Sequence, residues 1–166
     1  MRYFEDFSVG DVFEFGNYAV TEAEIMEFAG KYDPQPMNLD RGAAEKSMFG
    51  GLIASGLHTL SMLMRMTVDG LLHETAALGS PGIDQSRWLV PVRPGDTLSA
   101  RLTAENSIPS RSRPERGVLE LSTEVLNQAG EVVAAQKGKV MVARRPAWFS
   151  LRRNPGCTRP APCSTL

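Results

Sequence analysis

The chain has 166 residues, enough for one domain with a substantial apolar core and too few for two of ordinary size, so residues 1–146 are expected to form a single unit. Its 18 basic and 19 acidic side chains leave a formal charge of −1 and are spread along the chain, which gives no electrostatic footprint for DNA, RNA or an anionic membrane. Acidic residues interrupt the start, Met1 to Asp6, where a signal peptide carries an apolar run, and no stretch reaches the roughly 18 apolar residues of a membrane span. A cytoplasmic protein with a small-molecule or protein partner is the expectation.

Residues 11–20 alternate apolar and polar, which predicts a half-buried strand. Thr21 followed by Glu24 fits a capping box, and Ile25, Phe28 and Ala29 recur at helical spacing, predicting a helix over 22–31. The prolines of Asp33-Pro34-Gln35-Pro36 forbid helix and hold Asp33 on a rigid irregular turn. A short helix is expected at 40–46, with Asp40 at its N-cap.

Phe49 to Gly56 leads into the longest apolar helical stretch, 57–70, where Leu57, Leu60, Leu63, Met64 and Val68 mark one face. Met62 and Met66 fill other sides, so this helix is expected to be buried, with its methionines as core filler. Strands are predicted at 83–92, 97–107, 117–127 and 131–143, with turn residues between them, as an antiparallel meander. One strand, helices, then four strands make an α+β plan in which a sheet wraps one apolar helix, and such a sheet invites pairing with a second copy. From Trp148 the composition turns to Pro, Arg, Ser and Thr, which predicts a flexible tail over 147–166. Its cysteines, Cys157 and Cys163, have no histidine nearby and signal neither a disulfide framework nor zinc.

The stretch Phe28-Ala29-Gly30-Lys31-Tyr32-Asp33-Pro34-Gln35-Pro36-Met37-Asn38-Leu39-Asp40, followed by Phe49 to Gly56, resembles the hydratase motif of MaoC-like dehydratases and R-specific enoyl-CoA hydratases. Gly82 to Trp88 and Pro91 to Leu98 resemble that family's strand and turn after the central helix. The resemblance implies a hotdog fold, a homodimer or higher homo-oligomer, and an acyl-CoA or acyl carrier protein thioester as substrate, with no metal and no cofactor beyond the coenzyme A of the substrate. It also implies that an aspartate and a histidine activate a water that adds across an enoyl double bond. Asp33 and Pro36 match that pattern, and Asn38 occupies the histidine position.

An amide hydrogen-bonds a water in either sense but does not exchange a proton near neutral pH as imidazole does, so Asp33 is left to do that work or another group compensates. His58, on the first turn of the central helix, is the candidate, and its alternative is a packed histidine with one hydrogen bond. Gly56 aligns with the family glycine whose backbone N–H polarises the thioester carbonyl. Pro36 and Ser55, beside these positions, are the candidates for substrate contact. For Asp33 the alternative is an Asx turn, and for Asn38 a turn or cap. Arg111, Arg113 and Arg116 form either a solvated hairpin loop or a clamp on coenzyme A phosphates.

The first functional reading is therefore a hydratase or dehydratase interconverting a trans-2-enoyl-CoA and a 3-hydroxyacyl-CoA. Asn38 keeps a second open, a non-catalytic or structural hotdog protein that binds acyl thioesters. Thioester hydrolysis by a lone carboxylate and a helix N-terminal amide is the third.

Overall fold

The computed structural model describes residues 1–146; the predicted tail and both cysteines lie outside the described residues. Strand β1 (Val12–Ala19) precedes three helices, α1 (Glu22–Tyr32), α2 (Pro36–Leu39) and α3 (Arg41–Lys46), and then the long helix α4 (Gly56–Gly70). Strands β2 (Ala77–Trp88), β3 (Thr97–Pro109), β4 (Arg116–Leu126) and β5 (Val132–Ala143) follow. They form one antiparallel sheet in the order β1-β3-β4-β5-β2, folded over α4 in the α+β hotdog arrangement expected from the sequence.

Capping chemistry sets the helix starts. The Thr21 hydroxyl accepts from Glu24 N at 3.3 Å and opens α1, and the Asp40 carboxylate accepts from Ala43 N at 2.9 Å and opens α3. The prolines do not exclude helix as predicted. Pro36 stands at the first position of α2, where its missing N–H is not needed and its fixed φ suits a helical turn.

Three further expectations change. The predicted strand 83–92 lies instead at Ala77–Trp88, and Leu89 to Val92 leave the sheet after Leu89 N and Val90 N bond Val133 O. The strands after α4 are not a four-strand meander: β3, β4 and β5 are, but β2 pairs with β5 at an edge. The Arg93–Asp96 turn explains this, because it is tied to the end of β1 through Val20 N–Asp96 O and Gly95 N–Val20 O, each 2.8 Å, rather than closing a β2–β3 hairpin.

The third change concerns the face of α4. Met62, Leu63 and Met66 are on the buried side and pack in one cluster with Val20, Leu98, Ala100, Val125 and Val133. Leu57 and Met64, 55% and 53% exposed, lie on the opposite side, about 180° round the helix. Apolar spacing marks a stripe but not which of two stripes faces the sheet. A second cluster, Phe4, Phe7, Leu71, Leu102, Leu119 and Val142, closes the fold at the C-terminal end of α4.

β1 crosses α4 closely at Gly16, whose φ of +93° lies at a register shift between Phe15 and Tyr18. A Cβ there would overlap the Met66 side chain. Gly16→Ala therefore adds backbone strain to overpacking and is expected to cost about 1–3 kcal/mol, read as a lowered urea midpoint with an unchanged m-value.

Candidate active site

Asp33 is the residue at which α1 ends. Its N–H still donates to Ala29 O at 2.9 Å, but its own φ and ψ, −150° and 67°, turn the chain out of the helix ahead of Pro34. The side chain is then fixed by two donors: Ser55 Oγ gives a hydrogen bond to Oδ2 at 2.5 Å, and Gln35 Nε2 to Oδ1 at 2.7 Å. These bonds, the one from Ser55 foremost, favour the carboxylate and hold Asp33 below its ordinary pKa of 3.8.

Ser55 is also the N-cap of α4, its Oγ accepting from Leu57 N at 3.3 Å. One hydroxyl thus joins the end of α1 to the start of α4. Gly56 follows as the first helical residue, and among the described residues no group accepts its N–H. The orphan donor at a helix N-terminus is suited to developing negative charge.

Asp33 and Gly56 border one cavity of about 440 Å³, walled by Phe49, Ile53, Leu57, Thr59, Trp88 and the extended segment Leu89 to Val92. A carboxylate and an unpaired amide N–H on an otherwise apolar cleft is an arrangement for adding or removing a proton while charge accumulates on a nearby carbonyl oxygen.

The remaining predicted residues fall around this pair in different ways. Asn38 is 2% exposed on α2, with Nδ2 3.5 Å from both Asp33 O and Oδ2, so its amide faces the carboxylate from behind rather than lining the cavity. Ser55 is buried beneath the cavity and touches Asp33. Pro36 is exposed and borders the site only by starting α2.

His58 is separated from the pair. Two positions after Gly56 it lies about 200° further round α4, and its ring, 2% exposed, stacks on Phe28 at 4.6 Å with Nε2 3.4 Å from Glu24 Oε1. It borders a second cavity of about 290 Å³ with Tyr18 and Glu24, on the far side of the helix from Asp33. The arginine-bearing β3–β4 loop lies apart from Asp33 and Gly56: Gly117, opposite Pro109 at its base, lies against Phe4 in the cluster containing Leu71. That places the loop towards the C-terminal end of α4, and none of Arg111, Arg113 and Arg116 borders the Asp33 cavity. Among the described residues no three His, Cys, Asp or Glu side chains are grouped to hold a metal, and no helix is long and apolar enough to cross a membrane.

The MaoC like domain profile matches residues 6–126, which include the whole of this site. The chain belongs to the MaoC-like family. The solved structure of a MaoC-like dehydratase from Rhodospirillum rubrum superposes with a TM-score of 0.82 at 44% identity, covering 88% of this chain and 99% of that one. The (R)-specific enoyl-CoA hydratase of R. rubrum is 28% identical over 154 residues, 87% of this chain and 94% of the relative. YdeM of Bacillus subtilis is 29% identical over 140 residues, 84% and 98% of the two chains. Gln35, which donates to Asp33, and Trp88 with the Leu89–Val92 segment, which line the cavity, were not singled out as site candidates from the sequence. Trp88 carried a usable signal, a large aromatic just before a strand gives way to Pro91.

The second cavity yields a pH prediction. Burial first, and then the hydrogen bond to Glu24, push the Tyr18 hydroxyl up to about 12 from 10.0. The folded state thus holds this proton more tightly than the unfolded chain, so the contribution is complete below pH 10 and is lost as pH rises from 10 towards 12. Urea unfolding between pH 9 and 11 is expected to show a steeper loss of stability for the native chain than for Tyr18→Phe.

Proposed function

We propose that the chain is an acyl-thioester hydratase or dehydratase that interconverts a trans-2-enoyl thioester and a 3-hydroxyacyl thioester, carried by coenzyme A or acyl carrier protein. The observation that carries this reading is that Asp33 and Gly56, whose N–H has no acceptor among the described residues, line one largely apolar cavity. In hydration, Asp33 takes a proton from water as the water oxygen bonds to the β-carbon. The C=C electron pair moves onto the α-carbon and thioester oxygen, where the Gly56 N–H meets the charge. Return of the proton from Asp33 to the α-carbon completes the addition of one water and leaves the thioester intact.

Asn38 orients the carboxylate in this scheme without exchanging a proton, and Ser55 and Gln35 keep it ionised. His58 has no part in it. The second reading, a binder of acyl thioesters that does not turn them over, is favoured by one observation: the only titratable group bordering the cavity among the described residues is Asp33.

The thioester would meet a site formed near a homodimer seam. The outward stripe of α4 presents Leu57 and Met64, and β2 has a sheet partner on one side only among the described residues. Such a face and edge suit a second copy. Sedimentation is expected to give a dimer for the native chain and a smaller species for Met64→Glu.

Loss of the enoyl absorbance of a short trans-2-enoyl-CoA, followed for the native chain and Asp33→Asn, tests the reaction. Turnover that falls by about 10²- to 10⁴-fold in the variant supports the hydratase. No turnover by the folded native chain across short and medium acyl lengths leaves the binder. Because Asp33 is held below 3.8, any acid limb of kcat/KM is expected to have its midpoint below that value; a limb near pH 6 would require a different base.

A further inference from the structure

Trp88 ends β2 with its indole laid over the N-terminus of α4, and its Nε1–H donates to Gly56 O at 2.9 Å. A Cβ built on Gly56 would stand 2.7 Å from Cε2 and 2.8 Å from Nε1 of this ring. Gly56 is not among the positive-φ glycines, so the residue is glycine because the indole occupies the space of a side chain. The ring is 51% exposed and borders the cavity that holds Asp33.

The carbonyl that receives the indole N–H belongs to the same peptide unit as Leu57 N–H. That N–H donates to Ser55 Oγ at 3.3 Å, and Ser55 Oγ donates to Asp33 Oδ2 at 2.5 Å. Every donor in this series points the same way: indole N–H to peptide C=O, peptide N–H to hydroxyl oxygen, hydroxyl O–H to carboxylate. Head-to-tail hydrogen bonds of this kind polarise one another, so each makes the next donor stronger. The same grip fixes the peptide adjoining the Gly56 N–H.

We propose that Trp88 is a positioning residue that acts on Asp33 through the Gly56–Leu57 peptide and the Ser55 hydroxyl, coupling the wall of the cavity to its carboxylate. The inference rests on the reading of Asp33 as the reacting group, but its physical content is the coupling itself. A thioester that covers the half-exposed indole dries the outer end of the relay and strengthens it, so occupancy of the cavity is felt at the carboxylate.

The test is an NMR titration of the Asp33 carboxyl in the native full-length chain, Trp88→Phe, Ser55→Ala and the double variant, which reads the coupling whether or not the protein turns over an enoyl thioester. Trp88→Phe keeps an aromatic side chain at the end of β2 while removing the donor together with part of the indole's bulk. It is expected to raise the Asp33 pKa by about half a unit, and the double variant to go no higher than Ser55→Ala alone, because both act through one hydroxyl. If the chain is active, kcat for Trp88→Phe is expected to fall about 10- to 100-fold with KM within about twofold of the native value.

In the native chain the Trp88 Nε1–H resonance is expected to move with the same midpoint as the Asp33 carboxyl and to lose that step in Asp33→Asn. This measurement stands even where Trp88→Phe does not fold. An unchanged Asp33 titration in folded Trp88→Phe, shifts that add in the double variant, or an indole resonance indifferent to Asp33 would each overturn the proposal. Absence of turnover with these couplings present removes the hydratase reading and leaves this one.

Discussion

The hydrogen bond from Ser55 to Asp33 is the constraint on which the site depends. Asp33 stands where α1 must stop, because Pro34 disfavours further helix in the residue before it. Ser55 stands where α4 must start, because its hydroxyl takes one of the N–H groups that a helix leaves without partners. Two residues whose local task is to punctuate helices therefore meet, and their meeting holds Asp33 at the start of α4, on the cavity that Gly56 also lines. Neither helix end supplies the site alone.

The rest of the fold serves to hold those ends in register. α4 is pinned along its length by Met62, Leu63 and Met66 against the inner face of the sheet. β1 crosses it closely at Gly16, and the strand continues into the Thr21 cap that fixes the start of α1. A second contact between the helices, Phe28 stacked on His58 with Glu24 beyond, limits how α1 rocks on α4. His58 is better understood as part of this support than as a proton carrier: its ring is buried, it faces away from the cavity, and its Nδ1 has no hydrogen-bond partner among the described residues. A base that exchanges protons with a substrate needs a path to it, and here the helix itself stands between.

The helix punctuation was legible in the sequence because it rests on short-range chemistry. Thr21, Asp40 and the Asp33-Pro34 break need only their neighbours to act; that Asp33 and Gly56 line one cavity came instead from the family motif that links them. What depended on long-range pairing was less legible. β2 was misplaced because its register shifts, with Gly79 and Gly82 at positive φ, blur the alternation of a regular strand. The predicted face of α4 holds only in part: Leu63 is buried and Leu60 packs against the core, whereas Leu57 and Met64 are exposed and Met62 and Met66 are buried in their place, because apolar residues surround the helix and only the sheet decides between them. His58 was drawn to the site by a separation of two residues, which in a helix is nearly opposite in direction.

Asn38 shows how far geometry goes in settling what a residue substitution means. An imidazole at this position has a second nitrogen with which to exchange a proton, whereas the carboxamide turns its N–H towards the carboxylate and stays there at any ordinary pH. The hydrogen bonds from Ser55 first and then Gln35 are what favour the ionised form of Asp33, and the Asn38 amide at 3.5 Å adds a contact on the same carboxylate oxygen as Ser55. That trades driving force for readiness: the carboxylate is always available to receive a proton, but as a weaker base. On the proposed hydratase reading, a site arranged in this way would suit a step in which the proton is held briefly and returned, with the Gly56 N–H and the apolar walls supporting the charge that builds on the thioester.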